Sequence, residues 1–430
     1  MTTATGSPDL GGLIVSDAPQ VPGEPALRWS SRAHTIDEVE RELARIWSIP
    51  KLTQTVVGVE ERHVAARTSV MNLVVVARRP EIGERSAAII QQLIGKHPSR
   101  TLILTSADAE SRSWLDAQIQ AYCMLPRPDA GETCAEQIFI TAGGAAGRHL
   151  EAIVAPLLIH DLPVTLWWPT EPPFTTQPAR GLLAMADRLV VDGSSWSGDG
   201  LQRLRELAAA MDRYELTVSD FALVRQSRWR EAIASVFDLP DFLPFLSYIK
   251  RVAVTYATHD LTGAPGTTNV VKPVYHVAWL ASRLRWSVAR PLAPAEGSAA
   301  SAKAAAKVAA RPAHAGVKPP LHRGLVGQLK SGRSEVGVVV RPVHSPMPAG
   351  TTLRVEILAE RRGSELRADV TAEAETVHAR VWLDGVEALD RAFLAARRTE
   401  VDLLAEAIEA GGPDRIAREA IRMAARLAGE

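Results

Sequence analysis

Hydrophobic positions along the chain change period several times, and each change marks an element. Ile36, Val39, Leu43 and Trp47 recur at helical spacing behind Thr35-Ile36-Asp37-Glu38, whose hydroxyl and carboxylate suit a capping box, so the pattern predicts a helix over 36–48. Val70 to Val76 is apolar on both faces apart from Asn72, as expected of a central strand covered by helices on both sides. Ile82, Ser86, Ile89, Ile90 and Leu93 share one face of a following helix that stops at Gly95 and Pro98, and Thr101–Thr105 reads as a second buried strand. Strand, helix and strand at this spacing predict a βαβ unit. Leu115 to Cys123 alternates apolar and polar, the mark of a one-sided strand. Further strands are predicted at 137–140, 164–168 and 188–192, with helices near 147–158 and 179–186.

A helix over 220–238, a strand over 248–256 and a helix over 274–286 come next. Residues 288–320 are dominated by alanine, proline and lysine and read as a solvated linker or insertion. Beyond them the period becomes two: 325–330, 335–341, 353–359, 366–370 and 377–383 predict an antiparallel meander, polar on one face. Helices over 400–410 and 414–428, divided by Gly411-Gly412-Pro413, close the pattern. The expected fold class is therefore an α/β N-terminal domain, a mixed sheet with flanking helices, followed by an α+β C-terminal domain with an antiparallel meander and two terminal helices. The expected division is a mobile tail at 1–33, the α/β domain at 34–220, helices and a strand joining the domains at 221–287, the linker at 288–320 and the α+β domain at 321–430.

Composition narrows the functional classes. In 430 residues, 49 Lys+Arg balance 49 Asp+Glu, so no global charge draws the chain to nucleic acid or to an acidic membrane. The longest apolar run, Ala152 to Ile159, is far short of the ~20 residues of a spanning helix. With no secretory pattern and only two cysteines, a cytoplasmic location is expected.

The chain has no G-x-G-x-x-G, Walker loop, G-x-S-x-G, H-E-x-x-H or C-x-x-C, so no catalytic residue, metal ligand or cofactor site is expected. Gly143-Gly144-Ala145-Ala146-Gly147, between a strand and a helix, could offer N–H groups to a phosphate or could be a plain connection. His160-Asp161 could be an acid–base pair but lacks a nucleophile, and a surface turn explains it as well. The segment from Asp161 to Phe174, DLPVTLWWPTEPPF, ends a strand in two tryptophans and a proline-stiffened acidic loop. Trp167, Trp168, Glu171 and Phe174 are the candidate partner contact, with core packing of the rings as the plainer reading. Cys123 and Cys134 flank a ten-residue connection. Two buried thiols is the plainer reading, and a redox pair is the alternative. Lys303, Lys307 and Arg311 are read as part of a solvated linker, and the arginines of 415–426 as the polar side of a docked amphipathic helix.

HPSR (97–100), EQIFI (136–140), DLPVTLWWPTEPPF (161–174), RLVVDGSSW (188–196), SRWREAIASVFDLP (227–240) and WLASRLRW (279–286) occur in that order. Together they resemble the glucose-6-phosphate dehydrogenase assembly protein family, OpcA, over about 40 to 290. The resemblance implies a non-enzymatic partner of glucose-6-phosphate dehydrogenase. Such a partner favours the enzyme's active oligomer and raises NADPH production in the oxidative pentose phosphate pathway. In photosynthetic relatives the family is associated with thioredoxin-linked regulation. The alternative from a different class is a sugar-phosphate or nucleotide sensor, or an enzyme, using the α/β domain and the glycines at 143–147.

Overall fold

A computed structural model describes residues 12–13, 21–48, 54–55, 63–64, 66–67, 69–107, 112–125, 127, 133–261, 263–264, 266–295, 324–373, 375–410, 412 and 414–430. The chain forms two compact units that exchange segments: Met1–Val191 with Arg213–Thr217 and Thr399–Gly412, and Asp192–Asp212 with Val218–Arg398 and Pro413–Glu430.

The first unit is built on a mixed sheet with strand order Pro25–Ala33, Trp114–Met124, Thr133–Gly143, Ser99–Ser106, Met71–Ala77, Val164–Trp168, Arg188–Val191. The neighbours from Thr133–Gly143 to Arg188–Val191 are parallel, and Trp114–Met124 pairs antiparallel on both sides. Every residue of Met71–Ala77 is buried, as its continuous apolar run requires. Its one polar member is fully satisfied: Asn72 Oδ1 accepts from the Ile159 amide at 2.8 Å, and Nδ2 donates to the Ile159 and Leu162 carbonyls at 3.0 and 3.2 Å. A buried ion pair crosses to the next strands, with Arg100 Nε 2.6 Å from Glu136 Oε2 and the Trp47 indole also donating to Glu136. The helix Ile36–Ser48 has the predicted bounds, and its Thr35 hydroxyl accepts from the Glu38 amide at 3.3 Å. The helix Glu400–Glu409 also belongs to this unit: His97 Nε2 lies 3.0 Å from Glu409 Oε1, and the Arg188 guanidinium donates to the Ala407 and Ala410 carbonyls.

The expected tail at 1–33 needs correction. Pro25–Ala33 is a strand paired to Trp114–Met124 from Pro25↔Met124 to Ala33↔Ala117, and the alternation of the latter strand leaves it an edge that this segment fills. The rest of the expected tail lies outside the described residues apart from 12–13 and 21–24.

The second unit carries an eight-stranded sheet in the order Ser287–Pro294, Leu325–Ser331, Ser334–His344, Ile249–Thr258, Thr352–Arg361, Ser364–Glu373, Thr376–Leu383, Val386–Leu394. All neighbours are antiparallel except Ile249–Thr258 with Ser334–His344. The meander is thus interrupted by a parallel strand from the segment read as joining the domains. Part of the expected linker is structured, because Ser287–Pro294 forms an edge strand; residues 296–323, with Lys303, Lys307 and Arg311, lie outside the described residues.

One face of this sheet is apolar, with Val252, Val254, Val338, Val340, Val355, Ile357, Ala368, Val370, Ala379 and Val381 buried. The helices Ser227–Phe237 and Val271–Arg283 contact its strands, and Arg415–Leu427 packs on Val271–Arg283. The other face carries an ion-pair row: Arg251 and Arg354 reach Glu356 at 2.8 and 2.9 Å, and Arg354 reaches Asp369 at 2.6 Å. Burial pushes the Glu356 carboxyl up, but Arg354, Arg341 and Arg251 outweigh it and hold the group below its ordinary range.

Candidate functional site

The Trp-rich segment is packed rather than displayed. Val164–Trp168 is buried at every position, and Trp167, Trp168 and Phe174 are only 2%, 4% and 6% exposed. Of the four candidate contact residues only Glu171 is half-buried; Trp167 and Trp168, adjacent in one strand, point to opposite faces of the sheet, and the buried rings cannot themselves form a partner's binding face. His160-Asp161 is an exposed turn, pinned by Asn72, with Asp161 at φ 64°, a left-handed conformation that Asp tolerates.

The glycines at 143–147 serve close packing. A Cβ on Gly143 would collide with the Trp114 indole, and one on Gly147 would lie 2.8 Å from the Ala142 carbonyl oxygen. The Ala146 amide donates to Ser113 Oγ at 3.1 Å, so this N–H is already used. The helix that follows, Gly144–Arg148, has only five residues and supplies little dipole. A concavity of the first unit lies elsewhere, a pocket of about 370 Å³ between the helix Pro80–Gln91 and the polar side of Trp114–Met124. Its charges are Arg32, Glu84 and Asp116, a balance unsuited to a sugar phosphate.

Cys123 and Cys134 face each other across neighbouring strands and are joined by a disulfide. The expectation of two thiols is corrected. The register places the two residues directly opposite, with Cα atoms 4.0 Å apart and no exposure at either.

The densest buried chemistry lies in the second unit, around the turn of RLVVDGSSW. Asp192 caps the turn Gly193–Ser195, accepting from the Ser194 amide at 3.1 Å, and pairs with the Arg225 guanidinium at 2.8 Å. Asp220 caps the next helix. Its Oδ1 accepts from the Ala222 and Gly193 amides, both at 2.8 Å, and its Oδ2 from the Tyr275 hydroxyl at 2.7 Å. Asn269 completes the frame, with Nδ2 donating to the Gly193 and Trp196 carbonyls at 2.9 Å each. Gly193 is required by this crowding, because a Cβ there would sit 2.6 Å from Asp220 Oδ2 and 2.8 Å from Val271 Cγ1.

Burial and the neighbouring Asp192 push the Asp220 carboxyl up to about 6, against the pull of the Gly193, Tyr275 and Ala222 donors. Burial also lowers the Lys272 ammonium, and Arg225 adds to that, while Asp192 and Asp220 oppose it. Both Asp220 oxygens are taken by protein donors, so the arrangement joins a turn and two helices through one carboxylate. Sequence reasoning missed it. Asp220 before an apolar run is a readable N-cap signal, whereas its partner 55 residues on, Tyr275, has no local signal. Among the described residues no group of three or more His, Cys, Asp or Glu could hold a metal. No helix there is long and apolar enough to cross a membrane.

Both parts of the chain match one family. Residues 90–209 match the glucose-6-phosphate dehydrogenase subunit N-terminal domain of OpcA, and residues 216–421 match its C-terminal domain. The chain belongs to this family of glucose-6-phosphate dehydrogenase subunits. Two relatives carry the name OxPP cycle protein OpcA. The one from Nostoc punctiforme is 27% identical over 204 residues, 47% of this chain and 41% of the relative. The one from Synechocystis sp. is 25% identical over 202 residues, 47% of this chain and 40% of the relative. The match thus spans about two fifths of the length of these curated relatives.

Among solved structures, Gal80p of Kluyveromyces lactis overlays with a TM-score of 0.43 at 10% identity, covering 84% of this chain and 88% of that one. A super-repressor mutant of Gal80p from Saccharomyces cerevisiae gives 0.43 at 10%, covering 84% and 94%. Likeness at this level carries no argument about activity.

Proposed function

We propose that this protein is a non-enzymatic assembly factor and allosteric activator of glucose-6-phosphate dehydrogenase, acting in the cytoplasm to favour the enzyme's active oligomer and NADPH production. The observation that carries this reading is the match of both family domains, in order, over 90–209 and 216–421. An effector activates only by binding the competent state more tightly than the other, and a coupling of ~3 kcal/mol changes the population ratio about 150-fold. We place the contact at the loop around Glu171, the half-buried member of a segment whose Trp167, Trp168 and Phe174 are buried. The Cys123–Cys134 bond is the redox element of this reading.

The test is a titration of the cognate dehydrogenase with this protein, following activity and mass by light scattering. Saturable activation with a heavier complex of defined mass supports the proposal. Two folded proteins that neither associate nor alter turnover would sink it. A small-molecule sensor in the first unit is the weaker reading, given how its glycines and pocket are built.

A further inference from the structure

The second unit contains a basic pocket whose lining shares no residue with the Glu171 loop proposed above. It has a volume of about 360 Å³, within the range of small-molecule sites, and lies between the end of the helix Val271–Arg283 and one face of Arg415–Leu427. Five arginines line it, Arg283, Arg285, Arg415, Arg422 and Arg426, against a single carboxylate, Glu419. The chain as a whole has no net charge, so this excess is local.

Internal pairing uses only part of the excess. Arg415 Nε and Arg283 Nη1 share Glu419, at 2.8 and 3.4 Å, and Arg422 holds Asp212 at 2.8 Å. The Arg285 and Arg426 guanidiniums have no hydrogen-bond acceptor among the described residues. The buried Trp286 and Met423 add apolar wall.

The placement of Arg285 is the most telling feature. It follows the helix end with φ 56°, its amide donating to the Ser282 carbonyl at 3.2 Å and the Trp286 amide to the Ala281 carbonyl at 2.9 Å. These are the two bonds of a Schellman cap, and Arg285 occupies the left-handed position that usually belongs to glycine. A cationic residue thus stands where glycine would be easier, in the lining of a cationic pocket.

We infer that this pocket binds an organic phosphate carrying two or more phosphate groups, of the nucleoside polyphosphate class. Guanidinium forks match phosphate oxygens in pairs, so one phosphate engages one or two of them. Arg415 to Arg426 covers roughly 16 Å of helix at 1.5 Å per residue, a row longer than a single phosphate can bridge.

Calorimetry on the full chain tests this with ATP, inorganic tripolyphosphate, inorganic phosphate and a polyglutamate peptide. ATP and tripolyphosphate should bind at least about tenfold more tightly than phosphate, and should weaken as salt rises. Arg285→Gly should raise Tm, because it relieves the cap, while weakening ATP at least about tenfold. Arg426→Gln should weaken ATP comparably with no change in Tm. A purely structural arginine would not separate binding from stability in this way.

Four results overturn the inference: no heat with ATP or tripolyphosphate, phosphate binding as tightly as either (an adventitious ion only), unchanged ATP affinity in both variants, or preference for polyglutamate, which would assign the pocket to an acidic protein segment. None of these readouts involves the dehydrogenase, so failure here and failure of the assembly role are distinguishable.

Discussion

The Tyr275 hydroxyl donates to Asp220 Oδ2 at 2.7 Å, and this one contact ties the N-cap of a short helix to the long helix Val271–Arg283. Because Asp220 is fully buried and sits beside Asp192, it folds more favourably protonated than ionised.

The sign of the resulting pH dependence is definite. Folding raises the carboxyl from 3.8 to about 6, so its contribution is fully present below 3.8 and is lost as pH rises through 6. The shift is worth on the order of 3 kcal/mol. Asp220→Asn can keep both amide bonds on Oδ1 and donate from Nδ2 to the Tyr275 oxygen. Urea melts should show this variant gaining stability relative to wild type between pH 4 and pH 7 by about that amount. A constant difference across that window would refute the assignment.

His276 has the opposite linkage. It is 1% exposed, packs against Trp229 with ring centroids 5.0 Å apart, and neither ring nitrogen has a hydrogen-bond partner among the described residues. Burial, with Arg230 adding to it, pushes the imidazole down to about 3. The contribution of the neutral ring is present above 6.5 and lost as pH falls toward 3, roughly 3 kcal/mol by pH 4. His276→Leu should remove this acid sensitivity and should not destabilise at pH 7, which chemical melts at the two pH values will read.

Trp168→Ala should lower stability by about 3–5 kcal/mol, because it opens a cavity in a strand with no exposed residue. Any loss of dehydrogenase activation in that variant has to be compared with its melting curve. Glu171→Ala is the smaller change at the proposed contact, and should weaken activation by more than any shift in its melting midpoint explains.

Reduction of Cys123–Cys134 should cost up to about 3 kcal/mol, the usual value for a short closed loop. Neither sulfur's residue is exposed, so alkylation of the reduced protein should be slow until the strands open. Mass spectrometry of native and denatured samples after reductant measures both rates. Rapid native labelling would show that the pair is accessible.

Elements with a clean local period were legible. The helix 36–48, the strands around 71–77, 99–106 and 164–168 and most of the second sheet were readable within a few residues, because burial on one or two faces imposes that period. What escaped lacks such a period or depends on distant partners. The strand Pro25–Ala33 exists because the edge of Trp114–Met124 accepts it, and its own sequence looks like a tail. Val386–Leu394 is mostly exposed, so no apolar face betrays it. The helix Leu201–Arg213 begins behind glycines, which hid its start. Of the candidate site, the distinctive Trp residues were visible for the reason that they are core. The carboxylate at Asp220 and the arginine pocket are assembled by tertiary structure alone.

The order in which the ribosome delivers the chain gives the helix Glu400–Glu409 a further meaning. The strands from Pro25–Ala33 to Arg188–Val191 have all been made by residue 191, but the helix Glu400–Glu409, which contacts Pro80–Gln91, emerges only with 399–412. During that interval Arg188 waits for the Ala407 and Ala410 carbonyls, and Arg85 for Glu400, which it finally meets at 2.5 Å. The first unit therefore matures after the second unit's sheet has been synthesised, and a nascent chain stalled before 399 should present proteases and chaperones with a first unit that lacks this helix.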